Sequence, residues 1–90
     1  MYIRPETVTA PKHSWILKQV IFNSNGFSVA EGTWEGKETL AIRWNGDDNS
    51  NGIGNPQSRG IPTWFVLPDE LHKCVLKEIQ NLIANQMPSN

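Results

Sequence analysis

The sequence predicts an α+β domain: a four-stranded, mostly antiparallel sheet in the order β-β-β-long loop-β-α, with one C-terminal amphipathic helix packed on one face. Three observations predict it. Residues 14–44 hold three apolar segments rich in β-branched and aromatic residues, separated by Asn25-Gly26 and Glu35-Gly36, and such glycine-containing pairs supply the positive φ angles that tight hairpins require. Leu71, Val75, Ile79, Leu82 and Ile83 recur at helical spacing behind Asp69 and Glu70, the charge a helix N-terminus favours. Between these halves, residues 45–62 carry no hydrophobic period and exceed the ~12 to 15 residues beyond which structureless loops in compact domains become uncommon.

Length and composition narrow the class. A chain of 90 residues is one small domain, because at this size only about 60% of the unfolded surface can be buried. With 38% hydrophobic and 19% charged residues it lies in the globular range, away from disordered compositions. Four Trp and three Phe supply the large apolar areas such a core needs. A formal net charge of -1 gives no global field for polyanions. Cys74 is the only cysteine, so no intrachain disulfide forms, and its place in the helical pattern predicts a buried thiol in a reducing compartment. No apolar run reaches the ~18 residues of a membrane span, and the first residues lack the apolar core of a secretion signal. A cytoplasmic location is therefore expected.

In order along the chain, residues 1–13 carry Pro5 and Pro11 and predict an extended, partly mobile arm with a short strand near Tyr2 and Ile3. SWILKQVIF at 14–22 is the first strand and 26–34 returns antiparallel as the second, either covered on both sides or bulged at Gly32. Lys37 to Trp44 alternates, placing Leu40, Ile42 and Trp44 inward and Thr39, Ala41 and Arg43 outward. After the loop, TWFVL at 63–67 is the fourth strand, begun by Pro62, where a missing N–H does least harm, and stopped by Pro68. The helix runs through Ala84, and 85–90 is a frayed tail.

Several constellations carry chemical possibilities. Asp47-Asp48-Asn49-Ser50-Asn51-Gly52 matches the opening half of an EF-hand calcium loop, but the position for the bidentate Glu is Ser58 and the flanks read as strands. Arg43 and Arg59, near Trp64, suit a planar anion. The alternative is that one of them staples the loop by bonding its carbonyls or pairing with Asp47 or Asp48. Among the four Trp, core packing is expected for Trp44 and Trp64, while Trp15 or Trp34 is the candidate platform on an uncovered sheet face. His13 and His72 lack a third ligand at metal spacing and are expected to be solvated. No serine or cysteine has an activating neighbour in sequence, and Asp69-Glu70 is explained by the helix dipole. No cofactor and no structural metal are expected.

The stretch GTWEGKETLAIRWNG resembles the sheet-type DNA-binding domain of plant ethylene-response factors, in which a three-stranded meander bearing Arg and Trp is backed by one helix. That resemblance covers the middle third of the chain and implies DNA contacts at Arg43 and Trp34. NPQSRGIPTWFVLPDEL is similar to a block in small uncharacterised bacterial and phage-type open reading frames, which implies a source rather than an activity.

These readings lead to three expectations. The first is a non-enzymatic cytoplasmic interaction domain that binds a protein partner or a second copy of itself through the long loop and the uncovered sheet face. The second is a nucleic-acid binder using Arg43, Lys37 and Trp34, which requires Lys18, Lys37 and Arg43 to converge on one face. The third is a small-ligand or enzyme domain using Arg43, Arg59 and Asp47, which requires a pocket under the loop. The candidate binding residues are Arg43, Arg59, Trp34, Trp64, Asn55 and Gln57.

Overall fold

The computed structural model of the chain describes residues 4–24, 26–46 and 52–86. The order is a 3-10 turn at Pro5–Thr7, then β1 (Trp15–Asn23), β2 (Phe27–Trp34), β3 (Lys37–Trp44), β4 (Gln57–Ser58), β5 (Ile61–Pro62), β6 (Phe65–Val66) and α1 (Asp69–Gln86). Four strands form an antiparallel sheet in the order β1-β2-β3-β6, and β4 pairs with β5 as a separate two-stranded piece. The α+β class follows from that sheet and the single C-terminal helix.

Each strand of the meander pairs with its neighbour in sequence, and β2, between the other two, is buried on both sides. Phe22, Val29, Ile42 and Phe65 are register partners across four strands. Phe22 and Val29 pack with Ile79 of α1, joined by Ile42, Val75 and Leu82. Successive strand residues point to opposite faces, so Ala30 and Ala41 belong to the other side, in a core with Val8, Trp15 and Trp64. The sheet is thus covered on both faces: by the helix on one, and by the arm and the residues after the long loop on the other. Among the described residues no wide uncovered face remains, contrary to expectation, because Trp64 and Val8 fill the side away from the helix.

Gly32 is where the two-sided packing is tightest. A Cβ there would lie 2.2 Å from the carbonyl oxygen of Ile16 and 2.7 Å from Cη2 of Trp15, so the Trp15 ring occupies the place of a side chain. The register irregularities fall instead in the edge strand β1, between Leu17 and Gln19 and between Val20 and Phe22. Such bulges twist an edge away from unwanted pairing.

Two-sided covering also overturns the faces assigned to β3. Leu40 and Ala41 are both buried, Arg43 is only 3% exposed, and Trp44 is 64% exposed. Alternation discriminates inside from outside only where one face is solvated, and here Arg43 lies beneath the loop while Trp44 lies beyond the reach of the helix.

The described part of the arm is docked rather than free. Pro5 and Val8 are buried, Ala10 bridges Thr63, and Trp64 Nε1 donates to the Val8 carbonyl at 2.6 Å. The expected strand at Tyr2 and Ile3, the aspartates of the calcium-like motif and the last four residues of the tail lie outside the described residues. Cys74 is exposed, not buried: the apolar stripe of α1 passes through Val75, Ile79 and Leu82, and position 74 falls outside that arc at 100° per residue.

The N-terminus of α1 is tied to the start of β3, where Lys37 Nζ lies 2.5 Å from Asp69 Oδ2. This hydrogen bond and the attached charge raise the Lys37 pKa and lower that of Asp69. The stabilisation from the depressed carboxylate is present above its unfolded pKa and lost as pH falls through its folded value. Stabilisation from the raised ammonium is lost only as pH rises through the folded Lys37 value. Asp69→Asn should therefore lower Tm slightly at neutral pH and leave it unchanged in acid, where the wild-type carboxylate is also neutral. Equal melting-curve differences at both pH values would sink this assignment.

Candidate functional site

The site grows out of the last residues of β3. Trp44 N–H donates to the Asn55 carbonyl at 2.7 Å and Asn55 N–H returns the bond at 3.1 Å, which pins the late part of the loop to the strand edge. Phe27 is the register partner of Trp44 and meets it edge to face, with ring centroids 6.3 Å apart. Phe22 stacks at 5.4 Å behind Phe27. By parity Phe27, Ile42 and Trp44 lie on the helix side of the sheet, and Ile42 pairs with Phe65. These side chains, with Pro56, Asn55 and Arg43, enclose a cleft of about 510 Å³ whose wall is almost wholly apolar. None of α1's described residues lines it.

What holds the wall in place lies on the opposite side of the sheet. Arg43 Nη1 donates to the Thr63 carbonyl at 2.6 Å, and Nη2 donates to the Ile53 carbonyl. One planar guanidinium therefore spans both limbs of the loop, a geometry suited to a fork of donors and not to a single ammonium. Burial lowers its pKa, and Nε has no hydrogen-bond partner among the described residues. Beside it, Ser28 Oγ donates to Asn45 Oδ1 at 2.8 Å, and Asn45 Nδ2 donates to Asn23 Oδ1 at 3.0 Å. Asn45 is fully buried, and its amide fixes the point where the chain leaves β3.

The predicted residues are dispersed. Arg43 is the staple of the loop, and Arg59 is not: it sits exposed with φ 52°, followed by Gly60 at φ 80°, at the two-residue turn between β4 and β5. Two successive positive φ values define the tight hairpin turn that matches strand twist. The described loop residues 52–62 are consequently not structureless, and Ser58-Arg59-Gly60-Ile61 is the signal that marks the hairpin. Gln57 Nε2 donates to the Gly54 carbonyl at 3.3 Å, within the loop. Trp64 is buried, and Trp34 packs against the same core, so neither forms a surface platform. Asn55 and Arg43 reach the cleft wall; Trp44, assigned to the core from sequence, and Phe27, Ile42, Pro56 and Phe65 complete it. The three cations needed for nucleic acid do not converge. Lys18 pairs with Glu38 at 3.8 Å, Lys37 pairs with Asp69, and Arg43 is buried.

Replacing Arg59 by Gly should stabilise the domain by about 0.5 to 1 kcal/mol, since a non-glycine residue in the left-handed region carries a steric penalty near 1 kcal/mol. Urea unfolding midpoints check it, and a loss of stability would mean the arginine side chain holds a contact that matters.

His72 Nε2 lies 3.1 Å from the Leu67 carbonyl and 3.1 Å from Thr39 Oγ1. Thr39 Oγ1 in turn donates to the same Leu67 carbonyl at 3.4 Å, so the ring, the hydroxyl and the carbonyl form one small polar cluster. His72 is thus a link between β3 and α1, not the solvated histidine expected. Among the described residues no group of three metal-ligating side chains gathers, and no helix is long and apolar enough to cross a membrane.

A scan against protein-family models and searches of curated proteins and of solved structures found no match to this chain.

Proposed function

We propose that this is a non-enzymatic interaction domain whose apolar cleft receives a large apolar side chain from a protein partner or from a second copy. The observation that carries the reading is that Trp44 and Phe65 remain 64% and 55% exposed around a formed cleft, while every other tryptophan is drawn into the core. Aromatic anchors in a preformed pocket are the part of an interface that holds most of its binding energy. The loop contributes as a wall, through Asn55 and Pro56, and the relevant surface is the end of the helix-side face. A reducing, cytoplasmic setting belongs to the same reading, supported by the exposed thiol of Cys74, which an oxidising compartment would leave open to pairing. A nucleic-acid role draws less support, since aromatic stacking on single strands works together with a basic groove, while Lys18 and Lys37 pair with Glu38 and Asp69 and Arg43 is buried.

Trp44→Ala tests it. Stability should change by less than about 1 kcal/mol, because an exposed ring is being removed, while binding is lost. The measurements are sedimentation of the free domain over a wide concentration range, and side-by-side capture from cell extract on wild-type and Trp44→Ala columns. A domain that stays monomeric and retains the same proteins on both columns overturns the proposal.

A further inference from the structure

From the cleft together with the hairpin at its rim, we infer that the partner is an extended, acidic segment, one that seats an apolar residue beside Trp44 and places a carboxylate on Arg59. This rests on the interaction reading above and specifies its ligand. Pro56 is both a wall of the cleft and the base of the β4–β5 hairpin, which Thr63 N–H closes by donating to the Pro56 carbonyl at 3.0 Å. Arg59 stands at the hairpin tip, three positions from Pro56, so their Cα atoms are at most about 11 Å apart. The two-residue turn gives this guanidinium a fixed mount. Among the described residues it has no ion-pair partner. Glu35, Glu38 and Asp69 lie at or near the other end of β3, by Lys37, about 20 Å away along the strand.

The cleft wall is almost wholly apolar, its Arg43 is buried on loop carbonyls, and among the described residues Arg59 is the one cation of the adjoining hairpin, a charge pattern complementary to an apolar anchor followed by a carboxylate about 3 to 5 residues along an extended chain. A nucleic acid needs several cations to hold its phosphates, and the described residues of the hairpin supply one, Arg59, so the peptide is the better match.

Selection from a random dodecapeptide library displayed on phage tests this, with the selected peptides resynthesised and measured by fluorescence polarisation. The expected result is enrichment of an aromatic or leucine residue with Asp or Glu at that spacing. Binding should be abolished by Trp44→Ala, weakened about tenfold by Arg59→Glu and largely kept by Arg59→Lys. Peptides that need Trp44 but carry no acid, and that ignore Arg59→Glu, overturn this inference and leave the cleft reading standing. Failure of enrichment, or indifference to Trp44→Ala, overturns both. Salt-dependent binding of a short oligothymidylate that competes with the peptides would replace the acidic segment with a nucleic acid.

Discussion

Trp64→Ala should destabilise the domain by about 3 to 5 kcal/mol, a large part of the roughly 5 to 15 kcal/mol available to a fold of this kind. Trp64 is 5% exposed, and its ring lies 6.3 Å from that of Trp15 in the core that also holds Val8, Ala30 and Ala41. With alanine neighbours on β2 and β3, little can move in to fill the space. The loss includes the bond from Nε1 to the Val8 carbonyl, which ties the arm to the sheet. Trp64→Phe separates the two contributions: it keeps most of the apolar volume and strands the carbonyl, for a loss of about 1 to 3 kcal/mol. Thermal melting should show a drop of roughly 12 °C or more for Ala and an intermediate value for Phe. A Trp64→Ala protein melting within a few degrees of wild type would mean that the arm and this ring do not form the second core.

Arg43→Ala should have the next largest effect, about 2 to 4 kcal/mol. Two hydrogen bonds from a charged donor to part-buried carbonyls disappear, each worth about 1.5 to 3 kcal/mol, offset by release from the burial of an unpaired charge. Arg43→Lys should recover only part of the loss, because an ammonium reaches one limb of the loop and not both. Arg43→Met isolates the charge: it keeps the stem and removes the donors. Urea unfolding of the three variants gives the order wild type, Lys, Met or Ala. If Arg43→Met is as stable as wild type, the guanidinium is not what closes the loop. Loss of the staple should also loosen the cleft, since Asn55 and Pro56 lie between the two carbonyls that Arg43 holds.

The meander and the helix were legible because they are local. Hairpin turns and the recurrence of Val75, Ile79 and Leu82 write themselves into neighbouring residues. The two faces of β3 were not. Ala41 and Arg43 are buried by Val8, Trp64 and loop carbonyls that are distant in sequence, so a period-two pattern misplaced Arg43 and Trp44. The hairpin at Arg59-Gly60 was visible in principle, but its strands are two residues long and one contains a proline, too short for a pattern to register. The helix was followed to Ala84 and runs two residues further. Of the cleft, Arg43 and Asn55 were identified, whereas Phe27, Ile42, Pro56 and Phe65 come together only once the strand register is known.

The bond between Trp64 and Val8 joins positions 56 apart, whereas β1, β2 and β3 pair with one another in sequence order. Closing so long a span is entropically costly before other contacts hold its ends near. The meander is accordingly the part of the chain that can assemble early, and the second core, with the arm and loop that seal it, belongs to the last stage of folding. The cleft, whose wall depends on that loop, comes into being only when the whole chain is in place. Any partner that needs the cleft would therefore meet it only on the fully folded domain.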